Sequence, residues 1–401
     1  MKKTKALLVV LLALVVVFSF AACGSSNSGE EEATADDGAA AGIAVEDIKV
    51  GVVHIGDPAD GTGYSYMHDQ GIVGMQENLG LSDDQIVREL NVSDSDSNAI
   101  RTAIEDCVAQ GCNIIFTTSY GYMETTEELA AEYPDIYFSH ATGYLSNDTN
   151  FNNYFGRIYQ ARYLSGIAAG LKTETNKIGY VSAYGTELAE TCSGINAFAL
   201  GVQSVNPDAV VYVKSLSSWS DPTNETAYAE ALIEMGCDVI AQHCDSANPQ
   251  IAAEKAGVFG VGYNSDMSAD APDAELTSAI WNWDVYYTTA VQAVIDGTWA
   301  DLGNYYGGIK EGFVDVAPLT ANCVEGTQEK IDAVKELLMD GSWDVFSGVK
   351  LSFDESGAVV QTDGALEDSE GNTIVEAGGA SVEDKVITGE MNYFVKGVEL
   401  K

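Results

Sequence analysis

A glycine-rich loop with a histidine–aspartate pair is the first segment of this chain whose residues could do chemistry. Asp60–Gly71 reads DGTGYSYMHDQG, follows the apolar run Ile48–Gly56 and leads into a stretch of helical periodicity. A strand, a glycine loop and a helix form the layout of a phosphate cradle. The loop lacks the Lys-Ser/Thr of a P-loop and the spacing of G-x-G-x-x-G. A phosphate site therefore has little support, and we expect the glycines to turn the chain so that Tyr64 faces a cleft.

The spacing of the histidines and of the possible nucleophiles argues against a metal site or a catalytic site. No G-x-S-x-G motif marks a serine nucleophile, and no acid/base pair has a spacing that indicates catalysis. We expect His68 and Asp69 on the surface of the helix that follows the loop. We predict no metal, no cofactor and no enzymatic activity. The four histidines fall on separate predicted elements without H-x-x-x-H spacing: His54, His68, His140 and His243.

Apolar strand-like runs alternate with amphipathic helices from Ile48 onward, which indicates parallel sheets covered on both faces. The folded part, about 350 residues, exceeds one comfortable core, so we predict two lobes. The fold class is therefore α/β, with two doubly wound parallel-sheet lobes joined by a hinge. A polar break falls at Gly143–Gly156. We assign residues 47–152 and 266–281 to lobe 1, and residues 153–265 and 282–401 to lobe 2. Within lobe 2, the acidic segment 355–371 predicts a hairpin-like addition.

The carboxyl ends of the predicted strands carry aromatic, amide and carboxylate side chains with almost no cation. Ligands of open parallel α/β sheets bind beyond these ends. Aromatic faces stack on a ring, while amides and carboxylates hydrogen-bond its edge or its hydroxyls, so the set suits a flat, neutral ligand. The candidates at strand ends are Asn91, Ser119, Trp219, His243, Asp245, Asn264 and Asp266.

The N-terminal residues predict export and a lipid anchor. A short basic segment, the apolar run Ala6–Phe20 and the small residues before Cys23 are typical of a secretory signal peptide. A cysteine at the cleavage point resembles a bacterial lipobox, so residues 1–22 are the predicted signal peptide and Cys23 the lipidated residue. Residues 23–46 are small and acidic and cannot bury enough surface to fold, which predicts a flexible tether. The predicted location is extracytoplasmic, anchored to a bacterial membrane.

The charge balance excludes several classes of partner. The chain has 61 acidic and 19 basic side chains, a formal net charge of −42. This charge opposes binding to nucleic acid or to an anionic membrane surface, and it favours a soluble monomer.

Cysteine usage leaves two states open. Six cysteines besides Cys23 lie in the predicted folded part. Outside the cytoplasm they could pair as disulfides, or they could stay as buried free thiols.

Several segments together resemble the basic membrane protein family of bacterial substrate-binding lipoproteins. The resemblance runs from about Ile48 to the late 340s. The segments that carry it are GYSYMHDQG (63–71), FTTSYGYM (116–123), PDIYFSHATGY (134–144), GRIYQARYLSGIAAG (156–170), GINAFALGVQSVNPDA (194–209), SWSDPTNETAYAEALIEMGCDVIAQHCDS (218–246), GVGYNSDMS (260–268), WNWDVYYTTAVQAVIDGTW (281–299) and YGGIKEGFVDVAP (306–318).

The resemblance implies a type I periplasmic-binding-protein-like fold that serves an ABC importer and, in several members, binds purine nucleosides. By this resemblance, Tyr64 stacks on the base and Trp219 stands at a second aromatic position. Asp266 matches a carboxylate that takes ligand hydroxyls, and Lys310 matches a lysine at the cleft. The chain has Gly-Tyr-Ser where nucleoside binders often have Ser-Phe-Asn, and QHCDSANP (242–249) replaces a glycine-rich segment. A nucleobase or another purine-like heterocycle therefore stays as open as a nucleoside.

We predict a lipid-anchored solute-binding protein that closes two lobes over a purine nucleoside or base and delivers it to an ABC permease. Tyr64 and Trp219 would sandwich the ring. Asp245, Asn264 and Asp266 would read its edge and any ribose, with Asn91, Ser119 and His243 as further candidates. A lipoprotein that senses the ligand for a membrane receptor, or an extracytoplasmic nucleoside-processing enzyme, would share many of these features.

Overall fold

A computed structural model describes residues 42–401. The predicted signal peptide, the lipidated Cys23 and most of the predicted tether lie outside the described residues. Within residues 42–401, no helix combines the length and the apolar character that crossing a membrane requires.

Seventeen strands and eleven α-helices make up the described residues. The strands are β1 (Val50–Val53), β2 (Ile86–Glu89), β3 (Ile114–Thr117), β4 (Tyr137–Ala141), β5 (Phe151–Gly156), β6 (Lys177–Ser182), β7 (Val210–Ser215), β8 (Val239–His243), β9 (Phe259–Asn264), β10 (Glu275–Trp281), β11 (Tyr305–Gly307), β12 (Val314–Val316), β13 (Val349–Phe353), β14 (Val359–Asp363), β15 (Leu366–Glu367), β16 (Thr373–Val375) and β17 (Val398–Leu400). The helices are α1 (Gly63–Leu79), α2 (Ser97–Ala109), α3 (Met123–Glu132), α4 (Ile158–Lys172), α5 (Ala189–Val205), α6 (Pro222–Glu234), α7 (Asn248–Ala256), α8 (Trp283–Asp296), α9 (Trp299–Leu302), α10 (Thr327–Asp340) and α11 (Asp384–Gly389).

Two mainly parallel sheets form the cores of the two lobes, which confirms the predicted α/β class. The first sheet has the strand order β11-β5-β4-β3-β1-β2, and all its pairs are parallel. The second has the order β12-β10-β9-β8-β6-β7-β17, and only the β10–β12 pair is antiparallel. Every residue of β1, β3 and β8 is buried, because helices cover both faces of each sheet.

Local sequence signals explain where the helices begin and end. The Asp96 carboxylate accepts hydrogen bonds from the backbone N–H groups of Asn98 and Ala99 and so caps the start of α2. Gly80, with a φ of 69°, ends α1 in the left-handed conformation that glycine adopts without strain.

The expected lobe boundaries differ from the observed strand order in more than one segment. We expected residues 266–281 in the first lobe, but β10 lies in the second sheet, because β9 and β12 hydrogen-bond to its two edges. The chain then returns to the first lobe with α8 and β11, although we expected residues 282–401 in the second lobe: β11 pairs with β5 of the first sheet. A Cβ added to Gly71 of α1 would lie 2.4 Å from the Cβ of Trp283 on α8, so these two helices are in close contact.

Three chain crossings connect the lobes: β5 to α4, β10 to α8, and β11 to β12. Arg157 lies at the first crossing and donates from Nη1 to the carbonyl oxygen of Tyr306 in β11, at 2.8 Å. It also donates from Nε and Nη2 to the carboxylate of Asp384, at 3.2 and 2.6 Å. Arg157 therefore connects the first crossing to the third crossing and to the C-terminal region.

The C-terminal region, residues 343–401, packs on the second lobe. It forms the antiparallel pairs β13–β14 and β15–β16, as expected for the acidic segment 355–371, and then α11. Its last strand, β17, adds to the sheet edge parallel to β7.

The six cysteines of the described residues are free thiols. Five are buried, and Cys323 is partly buried. Of the two states left open by the sequence, the described residues therefore have the unpaired thiols.

Close packing of α4 against α5 depends on glycines, which leads to a stability prediction. A Cβ on Gly201 would lie 2.0 Å from the carbonyl oxygen of Tyr163, so Gly201→Ala must push the helices apart. We expect a loss of about 1–3 kcal/mol in the free energy of unfolding, measured by chemical denaturation. Gly389→Ala is the matched control, because an added Cβ there meets no atom within 4 Å. Equal stability of the two variants would contradict this account of the helix contact.

Candidate ligand-binding site

The loop singled out at the start lies where the two lobes meet. Gly63 has a φ of 81°, and a Cβ added to it would lie 2.3 Å from the carbonyl oxygen of Asp245 in the second lobe. Ser265 of the second lobe supports the same contact: its hydroxyl lies 3.4 Å from the Gly63 nitrogen and 3.2 Å from the Thr62 hydroxyl. Glycine is required here by both the φ angle and the close approach.

The first lobe contributes an aromatic wall that is built from α1 and α8. The His68 ring stacks on Trp283 with 4.0 Å between centroids, and its Nδ1 lies 2.5 Å from the Tyr287 hydroxyl. Tyr64 meets the His68 ring edge-on at 4.4 Å. The expectation that His68 lies on the surface is wrong, because α8 covers this face of α1 and leaves the side chain fully buried. Burial lowers the pKa of His68, so the ring is neutral at pH 7.

Tyr64 connects this wall to the second lobe. Its hydroxyl is buried and has no hydrogen-bond partner within residues 42–401. Burial raises the pKa of this hydroxyl, and the neighbouring Tyr154, Glu190 and Asp245 raise it further. Two of those neighbours belong to the second lobe, whose Asp245 carbonyl also meets Gly63, the residue before Tyr64.

The second lobe brings four of the predicted residues together at the ends of β8 and β9. The Asn264 amide donates to the Asp245 carboxylate at 2.9 Å, and the Asp245 backbone N–H donates to the Trp219 carbonyl at 2.9 Å. The Trp219 ring lies 5.8 Å from the buried His243 ring. Asn264 has a φ of 67°, a conformation that asparagine tolerates better than most residues.

Four other predicted residues lie away from this cluster. Ser119 donates to the Asp94 carboxylate at 2.8 Å, and Asn91 is exposed. Asp266 is exposed and accepts the Ser268 backbone N–H in a local turn, at 2.9 Å. Lys310 is exposed on the turn between β11 and β12. Asp266 follows Ser265, which contacts Gly63 of the other lobe.

Arg162 on α4 was missed by the strand-end argument. Its side chain is 1% exposed, and its Cζ lies 3.9 Å from the centroid of the Tyr263 ring. Nη1 donates to the Gln242 carbonyl oxygen, whereas Nε and Nη2 have no partner within the described residues. An arginine in the middle of a mostly apolar helical segment, Ile158–Lys172, was the available signal, since buried charges are rare without a function or a partner.

Glu190 lies in the first turn of α5 and was missed as well, because only strand ends were considered. Its Oε1 lies 3.7 Å from Nε2 of His243. Burial raises the pKa of Glu190 to about 8, although the nearby Arg162 opposes the shift. Burial likewise raises the pKa of Asp245 to about 7, against the hydrogen bond from Asn264. The cluster therefore holds two carboxyl groups that can carry a proton near neutral pH.

Buried polar atoms without partners in the described residues concentrate in this cluster. Together with the aromatic rings, they can bind a flat molecule that has both hydrogen-bond donors and acceptors. No group of three or more histidine, cysteine or carboxylate side chains in residues 42–401 could hold a metal ion. The buried polar atoms of this cluster that have no partner in the described residues are Tyr64 Oη, His68 Nε2, Arg162 Nε and Nη2, His243 Nδ1 and Nε2, Asn264 Oδ1 and Trp283 Nε1.

The raised pKa of Glu190 predicts a pH effect on stability. The unfolded chain loses this proton near the ordinary value of 4.5, whereas the folded protein keeps it up to about pH 8. The contribution of Glu190 to stability therefore falls as the pH rises from 4.5 to 8. Glu190→Gln removes this loss, so its free energy of unfolding should decline less than that of the parent between pH 5 and pH 8.

Chemical denaturation at both pH values measures this difference. Glu187→Gln, which removes an exposed carboxylate from the same segment, controls for the loss of one charge. A Glu190→Gln variant that declines as steeply as the parent would show that Glu190 is not the group responsible.

The chain matches the model of a known family and is similar in sequence to several known proteins. The profile of the Bmp family, described as ABC transporter substrate-binding protein PnrA-like, matches residues 48–342. A purine-binding protein of Brucella abortus (strain 2308) is 35% identical over 358 residues, which cover 89% of this chain and 95% of that protein. A putative ABC transporter glucose-binding protein of Haloferax volcanii is 35% identical over 304 residues, or 76% of this chain and 75% of that protein.

A solved structure has the same fold. The ABC transporter solute-binding protein from Conexibacter woesei superposes with a TM-score of 0.61 at 19% identity, covering 74% of this chain and 98% of that one. At that identity the likeness concerns the fold alone.

Proposed function

We propose, because this chain belongs to the Bmp family of PnrA-like ABC transporter substrate-binding proteins, that it binds a purine nucleoside or base and delivers it to an ABC importer. The proposal includes the anchor predicted from the sequence: a lipid on Cys23, a flexible tether and an extracytoplasmic location at a bacterial cell membrane. Its partners are the small ligand and the membrane permease, and it works as a monomer. It includes no catalytic step, since the family binds solutes.

One observation carries the ligand proposal: aromatic rings and unpartnered polar atoms from both lobes share one buried cluster. A purine has two aromatic faces and an edge with both donors and acceptors, so it can stack on the rings and pair with these atoms. The name of the Brucella relative supports the same ligand class. The name of the Haloferax relative makes sugars the necessary comparison in any binding test.

The placement of the side chains supports some roles more than others. Tyr64 and Trp219 would contact the ring from opposite lobes, and Asp245 and Asn264 would read its edge, with His243 close by. Asp266 and Lys310 are exposed, so contact with a ribose would require them to turn toward the cleft. Ser119 and Asn91 take no direct part in this proposal.

The three chain crossings supply the mechanism. A ligand that touches both lobes stabilises the arrangement in which Gly63 meets Asp245, and so it shifts the equilibrium toward closure. The permease would read the closed form. Asn264 and Asp245 belong to one lobe and Tyr64 to the other, so only closure brings all three to the same ligand.

A thermal-shift panel of nucleosides, nucleobases, sugars and amino acids tests the ligand class. A purine at 100 times its Kd should add about 2.7 kcal/mol of stability. A shift with glucose and none with any purine would contradict the proposal. Release of free base from inosine or adenosine by the pure protein would point to an enzyme instead.

The stacking roles predict a loss of affinity on truncation. Tyr64→Ala and Trp219→Ala should each weaken purine binding by about 1–3 kcal/mol, because a ring face is lost from the site. Isothermal titration calorimetry measures the change. Tyr64→Phe keeps the ring and removes the hydroxyl, so it separates stacking from hydrogen bonding. Parental affinity in both alanine variants would remove the stacking model.

A further inference from the structure

Arg162 is a buried charge whose hydrogen-bonding capacity is mostly unused. A guanidinium has five N–H donors, and burying an ionised group without partners is unfavourable. Arg162 makes a single hydrogen bond among the described residues, to the Gln242 carbonyl, and no carboxylate of residues 42–401 forms an ion pair with it. Its contact with the Tyr263 ring, at 3.9 Å, compensates only in part. The side chain therefore needs hydrogen-bond acceptors from elsewhere.

The unpartnered atoms form one edge of the guanidinium. Nε and Nη2 point their hydrogens in parallel, which is the arrangement that binds two adjacent acceptors at once. The Gln242 carbonyl holds Nη1, and the Tyr263 ring covers a face, so the orientation of this edge is fixed. The edge presents two donors and no acceptor.

This edge belongs to the cluster at the cleft. A Cβ added to Gly194 would lie 3.7 Å from Nε of Arg162 and 2.8 Å from Nδ1 of His243, and Nε2 of His243 lies 3.7 Å from Glu190. Burial raises the pKa of Tyr64 in the other lobe, and the charges of Glu190 and Asp245 raise it further. A ligand in contact with Tyr64 and Asp245 is thus within the same group of side chains as the free edge.

We propose that Arg162 is the specificity-determining residue of the site and selects 6-oxopurines, such as hypoxanthine and guanine, over adenine. The inference rests on the proposed function, because it takes a purine as the ligand. A 6-oxopurine presents O6 and N7 as adjacent acceptors, which match Nε and Nη2. Adenine carries an amino donor in place of O6, so one arginine N–H would face another donor.

Binding to the full parental chain, measured by isothermal titration calorimetry, tests this selection. Hypoxanthine should bind at least about 10-fold more tightly than adenine. Guanine should likewise bind about 10-fold more tightly than 7-deazaguanine, which lacks the N7 acceptor. Equal or tighter binding of adenine, or no effect of removing N7, would overturn the assignment. If no purine binds while a sugar does, the proposed function itself fails, and this inference fails with it.

Variants of Arg162 then assign the selection to the side chain. Arg162→Gln should bring the hypoxanthine-to-adenine ratio close to one, whereas general damage to the site would weaken both ligands alike and keep the ratio. Arg101→Gln, which removes an arginine from the surface of α2, is the control and should keep the parental ratio. A parental ratio in Arg162→Gln would overturn the assignment. If that variant does not fold, the comparison of guanine with 7-deazaguanine on the parental chain decides.

Discussion

The site depends on one close approach between backbones, that of Gly63 to the carbonyl of Asp245. Any side chain at position 63 would separate the two lobes, since a Cβ would lie 2.3 Å from that oxygen. Asp245 lies at this contact, and burial raises the pKa of its carboxyl group and of the Glu190 carboxyl group. Arg162 in the second lobe and His68 and Trp283 in the first are buried. A buried polar atom that lacks a protein partner cannot hydrogen-bond to water instead. Each unmade hydrogen bond in the cluster therefore costs more free energy than it would at the surface.

The periodicity of the sequence was sufficient to predict the fold class, but it could not assign every strand to its sheet. Buried parallel strands of both lobes have the same apolar pattern, so the residues of β10 would suit either sheet. Only the pairing with β9 and β12 decides, and such pairing is a long-range property. The residues Ile100, Ala103, Ile104 and Val108 have the spacing of one helix face; on α2 the first three are buried and Val108 is partly buried.

The site was predicted in part, for reasons that lie in local geometry. Reading the strand ends indicated Asp245 and Asn264, and the glycine loop indicated Tyr64; the structure brings these three residues into one region. The same approach missed Arg162 and Glu190, because they come from helices. It also placed Asp266 in the cleft: the left-handed turn at Asn264 presents Ser265 to the first lobe and leaves the next side chain in solvent.

The bond network of Arg157 has a consequence for how this protein can change over time. The family match ends at residue 342, and the partner of Arg157 at the first crossing is Asp384, from the region beyond it. None of the side chains in the candidate site comes from that region. Substitutions in residues 343–401 can therefore change the contacts at the chain crossings without altering any side chain of the candidate site.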